Sequence, residues 1–219
     1  SAYETALSFI DKGIKLEAII DIRENPNSEL VKKVEENQIK IFKGYTLVDT
    51  SGYRRINEIS IMQLSKDGQN VVGNKIEISC DCLGMSGGWT PAVHLFTQSG
   101  GKLSFREEDQ VFIPKTYPSK QISIGSCNGD FSLNSIIKNI PNQLKEFFAV
   151  SSTEFDNLDI KSNEDLTKRN IWLLPSDKVI GKTKPFVDYQ NDATAKDIKL
   201  ALREGFRSIE HVKRYTTTG

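Results

Sequence analysis

Two glycine-rich turns carry the residues best suited to chemistry. The first runs Gly84-Met85-Ser86-Gly87-Gly88-Trp89-Thr90-Pro91 and follows the alternating stretch Ile76–Cys82. Its glycines permit backbone angles closed to other residues and let the main chain approach a ligand, or they serve a tight crossover between domains. Gly84, Ser86 and Gly88 also match the Gly-x-Ser-x-Gly spacing of a nucleophile elbow. A triad needs a histidine, and His94 and His211 are the only two in the chain. Neither has a local partner of the required kind, and Trp89-Thr90-Pro91 sits awkwardly for an elbow helix. The second turn is Gly125-Ser126-Cys127-Asn128-Gly129-Asp130, between the apolar stretch Gln121–Ile124 and a helix expected over 131–140. Free N–H groups and the helix dipole would seat a pyrophosphate there. The same residues equally describe a tight turn in which Asp130 caps the helix.

Other constellations are weaker. Cys80 and Cys82 share one face of a strand, and Cys127 and His94 together would complete a four-ligand metal site. The spacing is not that of a zinc finger, and free cysteines also serve as small core residues. Asp21 ends the apolar run Leu16–Ile22, where an acid in a βαβ unit grips ribose hydroxyls; a solvated charge is the plainer reading. Gly181-Lys182-Thr183 imitates a phosphate loop, but Ser176 stands where its other glycine belongs.

The balance of charge excludes a second set of functions. Lys plus Arg and Asp plus Glu both number 29 among 219 residues, so whole-chain charge argues for neither nucleic acid nor an anionic membrane surface. No apolar run reaches the length of a membrane span, and no signal peptide is visible. Three cysteines make a poor disulfide framework and fit a reducing, cytoplasmic setting. Ser1 opens directly into a helical pattern and Gly219 follows a run of threonines, so a piece of a longer polypeptide is expected.

The elements that would position these residues form an α/β unit with an antiparallel β meander. Helices are expected over 3–13 and 28–37, with Ser28 as a cap, over 92–96, and over 131–140. Strands are expected over 16–22, 39–43, 46–51, 56–64, 76–82, 111–114, 121–124 and 170–174. The apolar first strand suggests a parallel, covered sheet. Residues 151–170 read as a polar linker or surface excursion. From Phe186 the texture changes to a helical hairpin, with Thr194 and Asp197 as a loose capping box and Gly205 closing its first helix.

That last segment carries a resemblance. Phe-Val-Asp-Tyr-Gln-Asn-Asp-Ala-Thr-Ala-Lys-Asp-Ile (186–198) and Arg-Glu-Gly-Phe-Arg-Ser-Ile-Glu-His-Val-Lys-Arg-Tyr-Thr-Thr-Thr-Gly (203–219) closely resemble the α subunit of heterotetrameric sarcosine oxidase. So do Ser-Gly-Gly-Trp-Thr-Pro-Ala-Val-His-Leu-Phe (86–96) and the opening Ser-Ala-Tyr. The resemblance implies part of a two-dinucleotide-domain, disulfide-reductase-like flavoprotein fold. Residues 1–104 would be an inserted dinucleotide-like domain lacking its first strand, and 105–150 the returning part of an NAD-binding domain. Residues 151–185 would be a linker, and 186–219 a small ferredoxin-like helical module. Related opine-oxidising flavoproteins hold a [2Fe–2S] cluster in that module through a Cys-x-Cys pair. Here Asp188 and Gln190 stand at those positions, so a cluster-free module is implied.

In such a family the returning turn touches NAD, which carries over onto Gly125, Ser126, Phe131 and Leu133. The implied complex demethylates sarcosine oxidatively to glycine. The one-carbon unit passes to tetrahydrofolate and electrons pass through FAD and FMN to oxygen, giving hydrogen peroxide. Partners would be the β, γ and δ subunits, and no catalytic or metal-binding residue is expected within this stretch. The alternatives are the corresponding region of another amine or opine oxidase, which cysteines at 188 and 190 would favour, and a non-redox nucleotide-binding module.

Overall fold

The computed structural model describes residues 2–118, 120–148 and 168–219; positions 151–167 of the expected linker lie outside them. In chain order the elements are α1 (Ala2–Asp11), β1 (Ile19–Asp21), α2 (Glu29–Glu36), β2 (Ile41–Lys43), β3 (Tyr45–Gly52), β4 (Ile56–Leu64) and β5 (Val71–Ser79). There follow α3 (His94–Gln98), β6 (Lys102–Arg106), β7 (Val111–Thr116), a 3-10 turn at Gly125–Asn128 and α4 (Leu133–Phe148). After a 3-10 turn at Ile180–Lys182 come β8 (Phe186–Asp188), β9 (Ala193–Thr194), α5 (Ala195–Arg203) and α6 (Ile209–Thr216). The fold is mixed α/β.

The chain divides into two compact units, each built from three separate segments. One comprises residues 17–24, 40–83 and 171–219. In it β1 and β2 pair in parallel, with Ile19 opposite Ile41 and Asp21 opposite Lys43. The expected meander is β3-β4-β5, antiparallel throughout. Strand β4 is its centre and buries Ile59, Ser60, Ile61 and Met62 in succession, as a strand covered on both faces must. Phe42, Ile59 and Ile61 form a core against which Ile20, Leu47, Ile76 and Ile78 pack. The residue 171–183 stretch is tied to the meander by ion pairs Lys178–Asp49 and Lys75–Asp177.

Strand β5 ends at Ser79, short of the cysteines that the alternation had included. Cys80 instead packs at the margin of the core, where burial raises its thiol pKa, and Cys82 is exposed. Asp21 is neither solvated nor open. It is only 8% exposed and takes both Nε (3.1 and 3.2 Å) and Nη2 (2.8 Å) of Arg23, together with the Arg23 backbone N–H at 2.9 Å.

The other unit comprises residues 1–16, 25–39 and 84–170. Ser28 caps α2 as expected, accepting from the Val31 N–H at 3.3 Å. Residues 84–93 adopt no regular structure, and the short helix begins at His94 rather than Ala92. Phe96 is buried against Tyr117. Gly101 lies so close that a Cβ there would stand 2.4 Å from the Phe96 ring. Strands β6 and β7 form an antiparallel hairpin. Two expected strands are absent among the described residues: 121–124 is extended without a ladder partner, and 170–174 is irregular.

Candidate functional site

The β6–β7 hairpin, the 125–130 turn and α4 border an open cavity of about 430 Å³. Its walls include Arg106, Glu108 and Asp109 from the hairpin, Gly125 and Asp130 from the turn, and Ile136, Asn139 and Gln143 from α4. Alternation along β6 and the charged turn Glu107-Glu108-Asp109-Gln110 produce the first group. The helix supplies the third at spacings of three and four residues, which share one face.

One guanidinium holds the turn against the hairpin. Arg106 Nη2 donates to the Gly129 carbonyl at 2.7 Å and pairs with Asp109, which also takes Lys168. The Lys168 ammonium, hydrogen-bonded to Asp109, lowers that carboxyl below its usual range, with Arg106 adding to the effect and burial opposing it. Gly129 has φ +77°, and a Cβ there would stand 2.8 Å from Arg106 Nη2 and 2.9 Å from Ile113 Cγ2. Glycine is therefore required at this contact on both backbone and steric grounds.

The amino terminus of α4 is occupied by the chain itself. Asp130 Oδ1 accepts from the Ser132 N–H at 3.1 Å, and Oδ2 accepts from the Ser135 hydroxyl at 2.7 Å. Ser132 Oγ in turn accepts from the Ser135 N–H at 3.3 Å. Ser132, not the expected Asp130, is therefore the cap, and Asp130 makes a turn one step ahead of it. A pyrophosphate approaching this turn would face the Asp130 carboxylate.

The four residues carried over from the resemblance fall in different places. Gly125 lines the cavity, with φ +78° and the Ile136 side chain 3.6 Å from where its Cβ would lie. Ser126, Phe131 and Leu133 are exposed and lie off its walls, Phe131 at 38% and Leu133 at 52%. Arg106, Asp109 and Gln143 were missed, because β6 was not read as a strand and α4 runs eight residues beyond its expected end. Their signal was available in the alternation of Leu103 and Phe105 and in the continued apolar spacing through Leu144 and Phe147.

The cysteine and histidine constellation does not assemble: no group of three or more His, Cys, Asp or Glu is placed to hold a metal among the described residues. Nor is any helix among them long and apolar enough to cross a membrane. In the C-terminal module Asp188 organises a turn. It accepts from the N–H groups of Gln190 (2.9 Å), Asn191 (3.3 Å) and Gly219 (3.0 Å) and from Asn191 Nδ2 (2.7 Å).

Residues 182–219 match the family described as Sarcosine oxidase A3 domain. Over 212 residues the chain is 27% identical to sarcosine oxidase subunit alpha of Corynebacterium sp. (strain P-1), covering 91% of this chain and 21% of that protein. Over 232 residues it is 26% identical to the same subunit of Rhizobium meliloti (strain 1021), covering 100% and 21% respectively. The chain is similar to the sarcosine oxidase α subunit. It spans about a fifth of the length of these curated relatives. Among solved structures, L-proline dehydrogenase from P. horikoshii superposes with a TM-score of 0.51 at 19% identity, covering 86% of this chain and 38% of that one. At that identity the likeness concerns fold alone.

Proposed function

We propose that this chain is an internal NAD-binding and scaffolding region of a sarcosine oxidase α subunit. The observation that carries the reading is the identity to two such subunits along 91–100% of the chain. In this reading residues 1–104 form the inserted dinucleotide-like domain of a disulfide-reductase-like fold, and 105–150 the returning part of the NAD-binding domain. Residues 151–185 link them to a ferredoxin-like module at 186–219, which the Asp188 turn closes in place of cluster cysteines. The module's role is packing between domains or subunits.

The residues present fit NAD in part. The cavity has the size of a small-ligand site, roughly 300–1,000 Å³, and Gly125 lets its wall approach a ligand closely. Ser126, Phe131 and Leu133 would hold parts of the dinucleotide outside the cavity. NAD supplies a nicotinamide for hydride chemistry or serves as a fixed structural ligand. This stretch contributes binding and orientation, and none of its residues is assigned a catalytic step.

The complete heterotetramer, with β, γ and δ subunits, FAD, FMN and tetrahydrofolate, would demethylate sarcosine to glycine in the cytoplasm and release hydrogen peroxide. The test is calorimetric titration of NAD into the full chain and into a chain extended to the length of its relatives. Saturable binding weakened by Gly125→Trp supports the reading. Absence of binding in both chains overturns the NAD assignment.

A further inference from the structure

We propose that the cavity between the β6–β7 hairpin and α4 takes the sugar and base of an uncharged nucleoside and leaves any phosphate outside. The inference deepens the NAD reading by naming the portion of the dinucleotide that this chain would hold.

Charge is the first argument. Glu108, Asp109 and Asp130 all line the cavity, against the single cation Arg106. That cation already pairs with Asp109, and its Nη2 donates to the Gly129 carbonyl. Among the described residues, a phosphate or pyrophosphate entering here would meet three carboxylates against one guanidinium already paired with Asp109, and like charges at close range repel strongly where water is partly excluded. The helix terminus offers no relief, because Asp130 and Ser132 fill it.

Hydrogen-bonding capacity is the second argument, and it is independent of charge. Two buried atoms on the wall, Arg106 Nε and Gln143 Oε1, have no hydrogen-bond partner. One is a donor and the other an acceptor, and buried polar groups of this kind are normally satisfied. The diester pyrophosphate of a dinucleotide carries acceptors only, so it would leave Gln143 Oε1 unmet. A ribose hydroxyl both donates and accepts, and it can answer Gln143 and Arg106 together. The carboxylates that repel phosphate also accept readily from sugar hydroxyls. Ile124 and Ile136 supply apolar wall area for the face of a base.

The experiment is calorimetry on the full chain with adenosine, AMP, inorganic pyrophosphate and NAD. The expected result is saturable adenosine binding, AMP no tighter than adenosine, and no competition from pyrophosphate. Gln143→Leu removes the acceptor and should weaken adenosine about three- to tenfold, the loss of one neutral hydrogen bond. Gln143→Glu keeps an acceptor and adds charge, so it should hold adenosine within a few-fold and weaken AMP further. This second variant keeps the test decisive if the leucine variant does not fold. Competition by pyrophosphate, AMP binding more than about tenfold tighter than adenosine, or no adenosine binding overturns the proposal. NAD binding that adenosine does not displace overturns it while sparing the NAD reading. Adenosine binding to the full chain, with no NAD binding to it or to the extended chain, supports it and overturns the NAD reading instead.

Discussion

Gly129 and Arg106 form the tightest residue-scale dependence in the site. Gly129→Ala places a methyl group against Arg106 and Ile113 at a positive φ. The left-handed backbone alone costs an L-residue about 1–2 kcal/mol. The expected outcome is a fall of that size in unfolding free energy, read from the urea midpoint, with little loss on a control Gly84→Ala, where no atom lies within 4 Å of the added carbon. Equal losses at both positions would mean that the contact with Arg106 carries no weight. The glycines of this turn were legible from sequence, and so was the possibility that Asp130 caps a helix. The cap falls instead on Ser132, which accepts the Ser135 N–H, while the Ser135 hydroxyl reaches back to Asp130. Arg106 is 23 residues from the carbonyl it holds, and no local pattern announces such a contact. Asp21 shows the same limit at shorter range: the strand end was read correctly, but a partner two residues away takes up the carboxylate.

At the scale of elements, the C-terminal module shows how a carboxylate can close a turn. Four donors converge on Asp188, and they lower its pKa to about 2, with the Gly219 N–H the largest cause and Asn191 next. A carboxyl whose folded pKa is depressed contributes fully above its unfolded value of 3.8 and loses that contribution as pH falls through the folded value. The Gly219 tie should therefore persist at pH 5 and loosen progressively between about pH 4 and pH 2. Amide chemical shifts of Gly219 and Asn191 followed against pH would check this, and Asp188→Ala should abolish the transition. The helical hairpin beside it was readable because its signals are local: Asp197 accepts the Thr194 N–H at 2.8 Å, three residues back. The expected strand at 121–124 failed for the opposite reason. Its alternation is sound, but a strand is defined by a neighbour, and the composition of a segment does not say whether one will lie beside it.

For the whole molecule, the meander carries a well-defined apolar core. Ile61 is fully buried in the Phe42–Ile59–Ile61 core, so Ile61→Ala should cost about 2–5 kcal/mol through lost transfer energy and the cavity left behind. Denaturant unfolding followed by circular dichroism would measure it, and a loss under 1 kcal/mol (a rough floor for such a change) would contradict the packing described. The meander itself was legible because three apolar runs are separated by short turns. The discontinuous division of the chain was not, since no composition shift marks the points where it passes from one unit to the other. That division has a consequence for synthesis. All three segments of the unit containing the cavity have been synthesised once residue 170 is added, whereas the meander's unit still awaits residues 171–219. During translation the cavity's unit can reach its final contacts first, while the nascent meander waits for its last ion pairs, Lys178–Asp49 and Lys75–Asp177, to arrive.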